Sequence, residues 1–448
     1  MSIKLILNQL KNRPILKKIL KNIGWLSFDR FFQLGVSFFV GIWMARYLGP
    51  SEFGIFNFII ALGTLILPFL GLGVSNLLVR ELVRYPEKKY QLMGTSFFIY
   101  FTTCLISFFL LVGMIAFLRP NDSLAFFVAI IFYLGNLFAA FDLIGGWFDS
   151  KIESKTVVFY KNIALSVSAI AKIYFIFFGF PLIYFVFATF LETLLRSILM
   201  IYAYQKDKQN ILLWKVDFKI AKELVKSSWP LMFSGLMIMI YMRIDQVMIG
   251  LLLNDSQVGL YSAAVKISEL VCFLPSILLS SLFPSLVLMK EKSTQRYLAL
   301  FQRLFDFLVW FAIFLIVPIC FFSGPIIFLL YGIDYLPATA TLTILTLALL
   351  AIFLKSGVDS YLINAGLTKI VLVNSFLGAF SNVILNLILI PILGINGAAI
   401  ATVISYIIAL LGIVLFKETR IVFFMVISSF NPKAAIKRNI SVFKKLLV

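Results

Sequence analysis

Apolar residues in this chain gather into long runs, separated by short polar or basic intervals. Runs of about 18 or more are long enough to cross a bilayer as helices. The pattern predicts twelve, at 24–45, 53–78, 93–118, 124–147, 156–179, 181–204, 228–253, 258–289, 304–323, 337–363, 370–391 and 395–416. The run 258–289 contains Pro275 and Pro284, which predicts a bend. The stretch Pro325 to Gly332 is too short to span and is expected at the surface. The longest polar interval, 205–227, reads as a loop, and the apolar run 421–430 reads as an interfacial helix rather than two further spans.

Composition sharpens this into a class. Hydrophobic residues make up 62% of the 448 residues and charged residues 13%, with a mean hydropathy of +1.03. Soluble domains hold about 45–50% and about 25%. The expected fold is therefore an all-α polytopic membrane protein. The formal charge of +19 would suggest nucleic acid in a soluble chain. Here Lys and Arg alternate by loop instead. Thirty lie in the set of loops that includes 1–22, 79–92, 148–155, 205–227, 290–303, Lys369 and 417–448, and only Arg46 and Arg119 lie in the opposite set. That split predicts both termini in the cytoplasm and no nucleic-acid partner. The basic start followed by an apolar run resembles a signal peptide. Its length, Asp29 with Arg30, and the lack of a small-residue cleavage site make it the first membrane helix. Histidine is absent, and Cys104, Cys272 and Cys320 fall in apolar runs, as small buried hydrophobes do. No phosphate loop and no Asp-x-Asp motif occurs. These points predict no cofactor, no metal and no catalytic role.

The chain also repeats itself. Ser51-Glu52-Phe53-Gly54-Ile55-Phe56 aligns with Ser256-Gln257-Val258-Gly259-Leu260-Tyr261. Each block follows the first helix of a six-span half. The expected organisation is a bundle at 1–204, a linker at 205–227, a second bundle at 228–416 and a basic tail at 417–448. Even-numbered halves enter the membrane alike. A parallel repeat of this kind places a substrate site near the midplane between two bundles.

Seven basic residues lie inside spans: Arg30, Lys161, Lys172, Arg196, Arg243, Lys266 and Lys355. Each costs about 2.5–3.5 kcal/mol at a helix centre. They must pair, snorkel or face water. Glu192 with Arg196, Lys355 with Asp359, and Lys266 with Glu269 have the spacing of structural ion pairs on one helix face. Arg30, Lys161, Lys172 and Arg243 have no such neighbour. Snorkelling suits Arg30 and Lys161, near a cytoplasmic end; Lys172 and Arg243 are harder to explain away. Stripes of polar or small residues accompany them: Gln33 and Ser37 beside Arg30, Ser168 between Lys161 and Lys172, and Gln246 beside Arg243. Asn382 and Asn386 form another stripe, suited to sugar hydroxyls or to binding helices together. A cavity lined by Arg30, Lys161, Lys172, Arg243, Lys266 and Lys355 implies an anionic substrate. Asp29, Asp142 and Asp245 are candidates for ion coupling, whereas Asp359 suits structural pairing.

Three motifs carry a family resemblance. Arg46 to Phe56 reads RYLGPSEFGIF. Tyr241-Met-Arg243-Ile-Asp245-Gln246-Val-Met-Ile-Gly250 precedes Val258-Gly259-Leu-Tyr261, and Leu393-Gly394-Ile-Asn-Gly397 leads into the last span. Together with the span number they resemble bacterial polysaccharide and O-antigen flippases of the multidrug, oligosaccharidyl-lipid and polysaccharide exporter superfamily. The resemblance implies a V-shaped pair of six-helix bundles in the bacterial inner membrane. It implies translocation of undecaprenyl-pyrophosphate-linked oligosaccharide by alternating access; with no phosphate loop, an ion gradient (H+ or Na+) or the membrane potential is expected to supply any drive. Membrane lipids are expected around the chain, and a polysaccharide polymerase and a chain-length regulator are candidate partners. The competing readings are a lipid-linked peptidoglycan precursor flippase, a multidrug exporter, a membrane polymerase or ligase, and a channel. The short external connections speak against the polymerase.

Overall fold

The computed structural model describes residues 14–438 apart from residue 273. The basic residues Lys4, Lys11, Arg13, Lys444 and Lys445, which entered the sidedness count, lie outside that range. The described chain is helical, with no strand. Two compact units emerge. Unit 1 holds Met1–Leu48 and Phe58–Met239, and unit 2 holds Gly49–Asn57 and Ile240–Val448.

In chain order the first elements are α1 (Pro14–Ile66), α2 (Val74–Arg84), α3 (Lys89–Leu118), α4 (Ser123–Phe138) and α5 (Ile144–Ser150). Then come α6 (Ser154–Phe177), α7 (Leu182–Lys206) and α8 (Phe218–Leu252). Next are α9 (Asp255–Cys272), α10 (Leu274–Lys292), α11 (Thr294–Phe321) and α12 (Ser323–Tyr331). The last are α13 (Ala338–Ala365), α14 (Thr368–Leu393), α15 (Ile395–Leu411) and α16 (Arg420–Ser429).

Eleven stretches of the described residues are long and apolar enough to cross a membrane. The first, Gly24–Arg84, has 61 residues. A helix of that length is about 90 Å long, against a hydrocarbon core of about 30 Å. It therefore holds the first two expected spans. Gly49, at φ 71° and ψ 173°, breaks α1 between them. Only glycine takes that conformation cheaply, and Pro50 restarts the helix with its missing N–H at an end where no bond is needed.

Four expected elements are interrupted or extended. The second span unwinds at Leu67–Gly73, where Pro68, Gly71 and Gly73 interrupt the helix. The freed Gly71 N–H donates to Thr103 Oγ1 at 2.7 Å, as a polar group in an apolar medium requires. The fourth span breaks into a 3-10 turn at Ala139–Leu143, and Ser197 Oγ donates to the Phe138 carbonyl at 2.7 Å. The run 258–289 becomes α9 and α10, with Pro275 in the first turn of the latter. The interval expected as a loop at 205–227 is helical from Phe218 onward. Hydropathy missed it because Lys219, Lys222 and Lys226 dilute the apolar signal. Its Leu224 nonetheless packs with Val74, Leu77 and Ile99 in unit 1.

The short α12 is as brief as expected, at nine residues. The tail forms α16, whose Val422, Met425 and Val426 join the main core of unit 2 around Phe301, Phe305 and Phe353. Gln302 Nε2 donates to Ser429 Oγ at 2.9 Å, and Arg438 reaches the buried Asp306 at 2.7 Å. The core of unit 1 gathers Met93, Trp147, Phe148, Met200 and Tyr204. Small residues allow close helix contact in unit 2. A Cβ on Gly378 would come 2.9 Å from that of Ala409.

Candidate functional site

A buried polar cluster of unit 2 centres on Asp245 of α8, which is 4% exposed. Tyr261 of α9 donates its hydroxyl to Oδ2 at 2.6 Å. Thr402 of α15 reaches the same oxygen at 2.5 Å, and its hydroxyl also lies 3.0 Å from the Ala398 carbonyl. Asn386 of α14 donates from Nδ2 to Oδ1 at 2.5 Å and lies 3.2 Å from the Asn382 oxygen. Four helices thus converge on one carboxylate. Asn386 Oδ1 and Asn382 Nδ2 are buried without a hydrogen-bond partner among the described residues. A cavity of about 80 Å³ opens beside the cluster, lined by Asp245, Tyr261, Thr402, Tyr241, Glu269 and Tyr406 among others. The oxygen atoms offered here are the Asp245 carboxylate, several neutral groups, and the Glu269 carboxylate, whose charge is already met by Arg243. That set suits a proton or a singly charged hard cation better than a divalent ion, which wants more charge. Among the described residues no group of three or more His, Cys, Asp or Glu side chains is placed to hold a metal.

On the same helix, Arg243 turns away from Asp245, as a two-residue spacing requires. It pairs with Glu269 of α9 at 3.1 Å, and the two side chains are 25% and 33% exposed. Lys355 pairs with Asp359 at 2.6 Å, as its spacing predicted. Lys266 lies 4.8 Å from the Phe53 ring centroid, a cation–π distance. Gln246 is buried and donates to Ser262 at 3.1 Å.

Unit 1 carries its own pairs. Lys172 of α6 lies 3.9 Å from Glu192 of α7, and Arg196 of α7 lies 2.9 Å from Asp142. The expected Glu192–Arg196 pair is therefore replaced by two pairs between elements. Asp142 sits in the turn that interrupts the fourth span, which carries it toward Arg196. Asp29 accepts from Gln33 at 2.9 Å. Arg30 and Ser37 are exposed, Lys161 is half-buried, and Ser168 is buried. Arg30 and Lys161 have no carboxylate partner among the described residues.

The expectation of uncompensated charge at Lys172 and Arg243 is thus corrected: each has an acid on a neighbouring helix. A carboxylate on another helix leaves no trace in local spacing. Of the residues singled out in the sequence, Asp245, Asn382 and Asn386 meet in one cluster. The six cations divide equally, with Arg30, Lys161 and Lys172 in unit 1 and Arg243, Lys266 and Lys355 in unit 2. Sequence reasoning missed Tyr261 and Thr402 as partners of Asp245, Glu269 as partner of Arg243, and the Asp306–Arg438 pair. Only Tyr261 had a signal, its place in the repeated block.

The chain is helical, with charged clusters inside its candidate spans, and known proteins give it a family. The model of the family described as "Polysaccharide biosynthesis protein" matches residues 19–290. The match covers more than half of the chain, so the chain belongs to that family. A curated relative from Haloferax volcanii, named "Probable low-salt glycan biosynthesis flippase Agl15", is 27% identical over 221 residues. That alignment spans 48% of this chain and 46% of the relative, so less than half of either is compared. Among solved structures, the inward closed lipid II flippase MurJ superposes with a TM-score of 0.70 at 18% identity, covering 90% of both chains. An inward-facing multidrug transporter of the MATE family gives 0.70 at 17% identity, covering 90% of this chain and 98% of its own. These likenesses, at 18% and 17% identity, show a shared helical fold.

Proposed function

We propose that this chain flips an undecaprenyl-pyrophosphate-linked oligosaccharide, such as an O-antigen repeat unit, across a bacterial cytoplasmic membrane. Both termini would face the cytoplasm. The observation that carries the reading is the set of basic side chains held within membrane spans of a polysaccharide-family transporter. Their pairing with acids does not remove them from the mechanism. The Arg243–Glu269 pair is a quarter to a third exposed, and Lys172 meets Glu192 only at 3.9 Å. A diphosphate carries more charge than a carboxylate and offers several oxygens to a guanidinium fork. It competes well for cations held that loosely. Arg30 and Lys161 would add charge where the head group enters.

The Asp245 cluster supplies the drive in this reading. A buried carboxylate on α8 that exchanges a proton or Na+ alters the balance with α9, α14 and α15, since each of those three contributes a hydrogen-bond partner. Ion entry and cargo passage are then linked by shared conformations.

Transport of labelled lipid-linked oligosaccharide into proteoliposomes tests both parts. Lys172→Ala combined with Arg243→Ala is expected to slow transport at least about tenfold, given about 1.5–3 kcal/mol for each charge-assisted contact. Asp245→Asn is expected to abolish stimulation by an imposed ion gradient. Unchanged transport in the double variant, at normal protein level, would overturn the cationic assignment. Undiminished gradient stimulation in Asp245→Asn would overturn the coupling assignment.

A further inference from the structure

We propose that unit 1 holds a site for the phosphate of an anionic membrane lipid, formed by Lys18, Lys21 and Lys155 beside Trp25. The site is a hollow of about 250 Å³, lined by those residues with Asn22, Glu153 and Thr156. It lies where the first apolar run begins, at Gly24, and where the α6 span begins, at Ser154. That is the level of lipid head groups.

The hollow is a built feature. Asn22 accepts from the Ser154 backbone N–H at 2.9 Å and donates to Ser154 Oγ at 3.0 Å. Ser154 Oγ donates onward to Asp149 at 2.7 Å. This two-way clamp fixes the start of α1 against the start of α6 and brings Lys18 and Lys21 to Lys155. The charge is unbalanced. Glu153 engages Lys18 at 3.3 Å, which leaves Lys21 and Lys155 without a carboxylate partner among the described residues. A second hollow of about 360 Å³ shares Glu153, Lys155 and Thr156 and adds Lys206 and Asp207. Asp207 is already taken, by Lys151 at 2.6 Å and by the Trp147 Nε1–H at 2.7 Å.

The apolar side of the site selects a lipid over free phosphate. The Lys155 ammonium lies 5.5 Å from the Trp25 ring. From Trp25 an aromatic ladder descends α1, with Phe28 at 6.0 Å and Phe32 stacked 5.7 Å beyond it. Phe28 and the neighbouring Leu26 are about half exposed. Cations at the head-group level with an aromatic track beneath them match a phosphodiester carrying acyl chains. Inorganic phosphate would use the lysines alone.

The test uses the full chain in nanodiscs of phosphatidylcholine containing a minor fraction of phosphatidylglycerol, with retained lipid counted by native mass spectrometry. Lys21→Gln with Lys155→Gln is expected to lower phosphatidylglycerol retention about tenfold, a modest allowance for two cations near a surface. Lys433→Gln with Lys437→Gln removes equal charge elsewhere and is expected to leave retention unchanged. Equal loss in both double variants would overturn the site in favour of diffuse attraction. Unchanged retention in the first variant would overturn it too. So would a thermal shift with inorganic phosphate that depends on Lys21 and Lys155 while phosphatidylglycerol retention does not.

Discussion

Asp207 illustrates how one exposed-edge carboxylate is tuned. Partial burial alone would raise its pKa. The hydrogen bonds from Lys151 and Trp147, and the charges of Lys151 and Lys89, outweigh that and hold it below the usual aspartate value. A lowered folded-state pKa means that the ionised group stabilises the fold above its unfolded value and loses that stability as pH falls through the folded one. The side chain is 28% exposed, so solvent screening trims the effect to about 1 kcal/mol. Asp207→Asn is expected to lower the thermal midpoint in detergent by a few degrees at neutral pH. The gap to the unaltered chain should persist down to mildly acidic pH and close only below the usual aspartate range. A gap that closed near neutrality, or never closed, would contradict this account.

Elements meet closely at the repeated blocks. A Cβ on Gly54 would overlap the Asp255 carbonyl, and a Cβ on Gly259 would overlap the Pro50 carbonyl. Gly259 is the repeat equivalent of Gly54, and Asp255 is the equivalent of Pro50. The contact therefore maps onto itself when the repeats are exchanged, as in an isologous interface. All four residues lie in unit 2, since Gly49–Asn57 groups there. Gly54→Ala or Gly259→Ala should each cost about 1–3 kcal/mol through overpacking, read as a lower midpoint in thermal unfolding. Gly113→Ala, with nothing within 4 Å of its added carbon, should be neutral or stabilising. A neutral Gly259→Ala would remove the argument for close contact. The repeat itself was legible because its glycines sit at matching places after the first helix of each half. The breaks at Leu67–Gly73 and Ala139–Leu143 were not, although Pro68, Gly71 and Gly73 stood in view. Hydropathy averages over a window wider than one unwound turn. The Asp245 cluster was half legible. Polar residues in apolar helices marked Asp245, Asn382 and Asn386, but the partners that close the cluster, Tyr261 and Thr402, lie 16 and 157 residues from Asp245 along the chain. Spacing rules reach only one or two helical turns.

At the scale of the whole molecule, parity of crossings governs sidedness. If Gly24–Arg84 crosses twice, the other ten candidate stretches bring the total to an even number, and both termini share a side. If it crossed once, every later loop would change sides relative to residues before Gly24. The basic segment before Gly24 would then lie on the face opposite the other basic loops, which stay together. Lipid-facing charge asymmetry opposes that arrangement, because Lys and Arg resist translocation in short loops. The α1 break favours two crossings, since Gly49 and Pro50 allow the chain to turn where one straight helix would overrun the bilayer. Single-cysteine labelling in intact cells decides the point, in a background with Cys104, Cys272 and Cys320 replaced. Asn121→Cys and Asp334→Cys, beside the sparsely charged connections, are expected to react with a membrane-impermeant maleimide. Glu87→Cys and Gln209→Cys, in basic intervals, should react only after permeabilisation. Lys21→Cys, before the first stretch, should also stay unreactive in sealed cells; its reaction there while Glu87→Cys stays protected would mean a single first crossing, and the count of twelve would fall with it.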